Sequence, residues 1–337
     1  MKDKIRLSTT ADLLAMFAHT LGMTPVESFV LVGMRGNRLA ATLRVDVPTG
    51  HTVGEFASMI VGYMSHDREA DGAVFAVYTD AEGAQPHREY VEAIELEMLA
   101  AGMPLREILL VTGAGWRSYT ATEEALAPLA SITDSAANAE MIFAGSNLEA
   151  GKAQDREFTG APGNAAAIAV LANGFNDVDA LDISAPVMRE ARGAWAKALG
   201  TSPDTARACL LVAYVQNGNL RDRLMADLFN TDERDFENVL MGNSTTRPTW
   251  ERVDQGEALA LELLSQTPHE FRAPLYTMLG FISWYMGRSS RAADYMDKAL
   301  DAAPGYRLAD LFKQLLAYGH LPAVVTNRET AYPGASK

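Results

Sequence analysis

Three short runs without a polar interruption, Phe29-Val30-Leu31-Val32, Val74-Phe75-Ala76-Val77-Tyr78 and Ile108-Leu109-Leu110-Val111, constrain this chain more than any other feature. A strand that is apolar at every position has no face to give to water, so it belongs to the middle of a sheet covered by helices. The segments around the runs supply those helices. Leu13, Leu14, Phe17, Ala18 and Leu21 recur on one helical face behind the capping hydroxyls of Ser8, Thr9 and Thr10, and Gly22 and Pro25 stop the helix. Phe56, Met59, Ile60 and Tyr63 show the same spacing, as do Val91, Ile94 and Met98 ahead of Gly102. Arg35-Gly36-Asn37-Arg38 turns the first run into a second strand, Leu39 to Val47. Leu39, Ala41, Leu43, Val45 and Val47 of that strand are expected on one face, and Ala40, Thr42, Arg44 and Asp46 on the other. Lys4 to Leu7 is a further short strand candidate. The expected fold is an α/β domain over residues 1–122, a mixed sheet with flanking helices, in which the hairpin adjoins a parallel portion.

Strand signals then fade. Residues 123–182 are rich in alanine, glycine and asparagine and read as a connecting segment with short helices over Ala136 to Phe143 and Asn164 to Asn173. An all-α helical domain is expected over 183–325, with a tail over 326–337. Its most regular stripes are Leu275, Met278, Leu279 and Ile282, then Ala292, Tyr295, Met296, Ala299 and Leu300, then Leu308, Leu311, Phe312 and Leu315. They predict three short helices packed in series. A chain of 337 residues with 48% hydrophobic content is large enough for two such cores.

Several chemistries are excluded early. Cys209 is the single cysteine, which rules out an intrachain disulfide and a multi-cysteine zinc site, and its apolar setting reads as core. A net charge of −14 repels phosphate backbones, and Arg221-Asp222-Arg223 is interrupted by an acid, so nucleic acid is not an expected partner. No apolar stretch is long enough to span a membrane and no leader pattern opens the chain, so the expected location is the cytoplasm. The six histidines form neither an i, i+4 pair nor HExxH, and Ser28, Ser118 and Ser131 lack a GxSxG setting. His19 falls about 140° around its helix from Leu14 and is expected in solvent.

Two resemblances are visible. Leu279-Gly280, Gly287, Ala292, Ala299 and Pro304, within Tyr276 to Pro304, resemble a single tetratricopeptide repeat. Gly280 and Ala292 would let two helices approach, Gly287 would end the first and Pro304 the second. More widely, the chain resembles the actinobacterial and actinophage family of the domain of unknown function 4192. The residues that carry this are Ala11-Asp12-Leu13-Leu14 with His19 and Leu21-Gly22, Ser28 to Gly33, Leu43 to Pro48, Trp116-Arg117-Ser118-Tyr119, Arg221-Asp222, and Leu275 through Leu300 to Tyr306-Arg307-Leu308-Ala309. The resemblance implies no activity and no catalytic residue.

If the strands ending at Asp46, Tyr78 and Val111 are parallel, Asp46, Asp80 and the Thr112-Gly113-Ala114-Gly115 turn share one edge of the sheet, where ligands of open α/β sheets bind. Gly113 and Gly115 would let backbone amides approach an anion, and Asp46 and Asp80 would hold a hydrated Mg²⁺. Arg44 would grip a ligand or pair with Asp46, and Trp116, Ser118 and Tyr119 would line a pocket or pack. The plainer alternative is that the aspartates cap, the glycines turn and the aromatics fill space, since no GxGxxG or GxxxxGK[ST] is present. Two functions are therefore weighed. One is a non-enzymatic protein-interaction or scaffolding role, with self-association, that needs no cofactor. The other is a metal-assisted nucleotide or phosphoester hydrolase, or a small-molecule binder, at the strand ends.

Overall fold

The computed structural model describes residues 6–48, 52–143, 164–175, 186–327 and 329–333. The chain divides into two compact units, Met1–Arg156 and Glu157–Ser336. Lys4 and Ile5 of the expected first strand lie outside the described residues, as do 144–163 and 176–182 of the expected connecting segment, 183–185 of the expected helical domain, and 328 and 334–337 of the tail. Arg6 and Leu7 are not in a strand.

The N-terminal unit runs α1 (Thr10–Leu21), β1 (Ser28–Arg35), β2 (Arg38–Asp46), α2 (Val53–Met64), β3 (Gly72–Tyr78), α3 (Arg88–Ala100), β4 (Leu105–Thr112), β5 (Gly115–Ser118), α4 (Ala130–Thr133) and α5 (Ala136–Phe143). Its strands form one mixed sheet in the order β2-β1-β3-β4-β5, with β3 and β4 parallel and the other neighbours antiparallel. Alternation along β1 and β3 sends Phe29, Leu31, Phe75 and Val77 toward α2 and α3, and Val30, Val32, Val74 and Ala76 toward α1. Two cores thus sandwich the sheet, as the uninterrupted apolar runs require.

β2 departs from strict alternation. Its register against β1 shifts between Val32 and Met34, where Gly33 alone of β1 spans Ala40 and Ala41 of β2, between the pairs Val32–Thr42 and Met34–Leu39. An extra residue reverses which face the following side chains take. Leu43, Val45 and Val47 pack in the α2 and α3 core as expected, whereas Leu39 packs with Met34 in the α1 core. β5 is a second departure: four residues after a tight turn carry too short a pattern to read as a strand, and pairing with β4 creates it.

α1 carries a buried polar clamp. Thr9 and Asp12 close a capping box, and Gly22 ends the helix at φ 72°. The Asp12 Oδ2 atom accepts from the Ser8 and Thr9 amides, both at 3.0 Å, while Oδ1 accepts from the Ala137 amide at 3.0 Å. About two turns further along α1, His19 Nε2 lies 2.8 Å from Asn138 Oδ1. His19 is therefore buried and not in solvent, because α5 docks over the face that the α1 pattern leaves polar. Burial pushes the Asp12 carboxyl up, but its hydrogen bonds to Ala137, Ser8 and Thr9 outweigh that and hold it below the ordinary value of 3.8.

The helical unit comprises α6 (Ala165–Asn173), α7 (Pro186–Ala198), α8 (Thr205–Gln216), α9 (Gly218–Asp227), α10 (Phe236–Leu240), α11 (Trp250–Gln266), α12 (Ala273–Tyr285), α13 (Ser289–Ala302) and α14 (Arg307–Ala317). α12 shows more than a stripe: every residue from Ala273 to Tyr285 is buried, so it is the central helix. Its Thr277 and Ser283 hydroxyls donate to the Ala273 and Leu279 carbonyls, which satisfies both inside the core. α13 packs against it at Gly280, where a Cβ would lie 3.1 Å from the Ala292 carbonyl oxygen. Gly287 ends α12 in the left-handed region at φ 75°. Beyond α14 the chain returns to α11, where the Trp250 indole N–H donates to the Thr330 carbonyl and the Tyr332 hydroxyl donates to Asp254.

Two outcomes follow from these contacts. Gly280→Leu should overpack the α12–α13 contact and cost about 1–3 kcal/mol in urea denaturation. Asp12→Ala should cost about 1–2 kcal/mol at neutral pH. Because the folded carboxyl titrates below its unfolded value, its stabilisation is complete above the unfolded value and is lost as pH falls through the folded one. The gap between wild type and Asp12→Asn should accordingly shrink in denaturation curves taken at progressively more acidic pH.

Candidate functional site

With β1 antiparallel to both β2 and β3, the strands β2, β3 and β4 all run the same way, and their carboxyl ends share one end of the sheet. The register places Asp46, Ser28, Tyr78 and Val111 in one row across it. Asp46 and Tyr78 are thus two strand spacings apart, roughly 10 Å between backbones. The carboxylates of Asp46 and Asp80 turn to separate partners. Asp46 pairs with Arg44 at 2.7 Å, and the Arg44 Nε donates to the Ser28 hydroxyl at 2.9 Å. Asp80 Oδ1 accepts from the Gly113 amide at 2.6 Å, which fastens the end of β3 to the β4–β5 turn.

The remaining expected residues are dispersed. Gly115, at φ 152°, lies against the Ala127 carbonyl where a Cβ would collide. Trp116 packs in the α1 core and donates from its indole to Ser131 Oγ at 2.9 Å. Ser118 lies 3.2 Å from the Thr120 hydroxyl. Tyr119 belongs to the opposite core, where its hydroxyl donates to the Pro86 carbonyl at 2.7 Å and burial pushes it up to about 12. Trp116 and Tyr119 therefore line no common pocket; they occupy opposite faces of the sheet.

The same edge holds residues that pattern reading passed over. Thr79 is buried; its hydroxyl donates to Glu27 Oε2 at 2.8 Å, accepts from the Ala81 amide at 3.1 Å and lies 3.3 Å from His87 Nε2. Glu27 Oε1 accepts from the Asp80 amide at 2.8 Å. Glu27 and His87 are the two non-glycine residues at positive φ among the described residues, 40° and 59°, and both meet at Thr79. That conformation costs about 1–2 kcal/mol per residue. Periodicity carries no signal for such a backbone, and a glutamate ahead of an apolar run reads only as a strand boundary. Chemically the network is closed, because the Thr79 hydroxyl is spent on Glu27 and Ala81 and is shielded from solvent. Among the described residues no three His, Cys, Asp or Glu side chains are placed to hold a metal ion.

In the helical unit, Arg221, Asp222 and Tyr306 converge. The Arg221 Nε donates to Asp222 at 2.8 Å and another guanidinium nitrogen donates to the Tyr306 hydroxyl. Burial pushes the Asp222 carboxyl up, against the pull of Arg221. Arg192 and Arg223 both hold Asp227, at 2.7 and 3.0 Å. The basic cluster is therefore consumed inside the fold. Cys209 is buried, which pushes its thiol up and away from the reactive thiolate. No helix among the described residues is long and apolar enough to cross a membrane.

A family model described as a domain of unknown function, DUF4192, matches residues 11–323. No curated protein and no solved structure matches the chain.

The geometry ranks the two aspartates. Asp80→Ala removes the acceptor of the Gly113 amide and should cost about 1 kcal/mol in urea denaturation. Asp46→Ala removes an exposed carboxylate from Arg44, whose guanidinium keeps its bonds to Ser28 and Val26, and should stay within about 0.5 kcal/mol of wild type.

Proposed function

The chain belongs to the DUF4192 family, and we propose that it is a non-enzymatic protein-interaction module whose helical unit receives an amphipathic helix of another protein. One observation carries the reading, the outer face of α14. Leu308, Leu311 and Leu315 fall on one helical face; Leu308 and Leu315 are half-buried against the core, but Leu311 remains 50% exposed. In stacked helices each layer covers the apolar side of the one before, and a terminal layer normally presents a polar outer face. α14 follows the α12–α13 hairpin and keeps an apolar residue outward instead, flanked by Arg307, Asp310, Lys313 and Gln314. A helix laid on that face through its own i, i+3, i+4 apolar positions is the partner chemistry that fits. The internally satisfied strand ends favour this reading over hydrolysis.

A second reading, a small-molecule site at the strand ends, is favoured by the strained Glu27 and His87, since strain of this kind gathers at ligand sites. Nucleotides, with and without Mg²⁺, would then raise the wild-type melting temperature but not that of Glu27→Ala; a panel that shifts neither removes it.

The interaction reading is tested with a photo-crosslinking side chain at position 311 in the full chain, in cells. A discrete adduct is expected there, absent from position 241, which is equally open at 57% exposure, and absent when Leu315→Glu accompanies the probe. The same adducts from both positions would sink the idea.

A further inference from the structure

Among the described residues the two edges of the sheet are treated differently. β5 is covered, because Trp116 and Ala127 exchange backbone hydrogen bonds of 2.9 and 2.8 Å. β2 is the other terminal strand, with β1 as its neighbour in the sheet. Not one of its nine residues is fully buried, whereas the first six of β1 are. The Val47 amide donates to the Glu27 carbonyl of the neighbouring chain segment at 3.0 Å. Alternation then turns the backbone groups of Leu43 and Val45 toward β1 as well, and those of Thr42, Arg44 and Asp46 outward. The register shift near Leu39 and the missing amide of Pro48 bound this outward row on both sides.

An outward row of backbone donors and acceptors is a template for another strand. The side chains specify which strand. Arg44 and Asp46 lie two residues apart on one face with opposite charge, already 2.7 Å from each other. We propose that β2 pairs antiparallel with β2 of a second copy of this chain, Val45 facing Val45 across a two-fold axis. In that register Arg44 stands opposite Asp46 of the second copy, twice, so four charges alternate in sign along one face. The same two opposed pairs are the ones whose backbone groups point outward, so each forms a doubly hydrogen-bonded pair. On the other face Leu43 meets Val47 of the second copy, continuing the partly buried row of Leu43, Val45 and Val47. An unrelated extended peptide would satisfy the backbone but not the reciprocal charges, whereas a two-fold interface matches one patch with itself. This surface lies in the sheet unit and does not depend on α14.

The test uses the full chain with single added cysteines, since native Cys209 is buried. Facing residues of a non-hydrogen-bonded antiparallel pair have Cα atoms about 4.5 Å apart, within disulfide reach. The two copies of residue 43 would be about 13 Å apart along the strand. Under mild oxidation Val45→Cys should give a disulfide-linked dimer and Leu43→Cys should not. Sedimentation velocity should show a dimer for the unmodified chain and a monomer for Asp46→Lys and for Thr42→Pro, with the circular dichroism spectrum unchanged in Asp46→Lys. A monomeric unmodified chain, equal crosslinking of both cysteine variants, or a dimer untouched by Asp46→Lys would each overturn the proposal. So would a dimer lost on Leu311→Glu but kept in Asp46→Lys, which would move the contact to the helical unit.

Discussion

Phe29, Leu31, Phe75 and Val77 face one layer of helices while Val30, Val32, Val74 and Ala76 face another, and all eight are withdrawn from water. Burial of side chains of this size is worth about 1.5–3 kcal/mol each for the larger ones, and it is available only if α1 and the α2–α3 pair are both in place. The rest of the N-terminal unit answers that demand. α1 is held by a capping box whose aspartate also accepts the Ala137 amide in the first turn of α5, so the helix covering one face and the short helix behind it share a single carboxylate. His19 and Asn138 add a second bond to the same joint.

At the carboxyl ends of the strands, the polar groups that look available for chemistry are occupied with holding loops. Asp80 fixes the β4–β5 turn, Glu27 ties the segment before β1 to the end of β3, and Arg44 ties β2 to the start of β1. Positive φ at Glu27 and His87 is compensated by bonds converging on Thr79. The row is therefore held by bonds between segments distant in the chain.

The helical unit is organised about α12, whose aromatic residues Phe281, Trp284 and Tyr285 pack with Phe229 and Phe312 from α9's continuation and α14. Polar tips find carbonyls at the rim: the Trp284 indole donates to His320 and the Tyr285 hydroxyl to Val239. Close approach at Gly280 lets α13 pack directly against α12. α12 is buried along its whole length, while Leu311 of α14 stays half exposed.

The sequence by itself determined the layered α/β unit with its hairpin, the helical unit after it, and the chain positions that end α1, α3 and α12. These are local consequences of apolar period, capping hydroxyls and left-handed glycines, which act within a few residues and leave their mark in order along the chain. The candidate site was legible only in outline. That Asp46, Asp80 and the Thr112 to Gly115 turn share an edge follows from strand direction, but the partners of those carboxylates depend on residues far away in the chain. Only the tertiary structure decided that Leu39 changes face, that β5 exists, that His19 is buried, and that Trp116 and Tyr119 stand on opposite sides of the sheet. Each of these turns on a register shift or a docking contact between distant segments, and a one-residue slip in pairing is enough to reverse a face while leaving the local pattern unchanged.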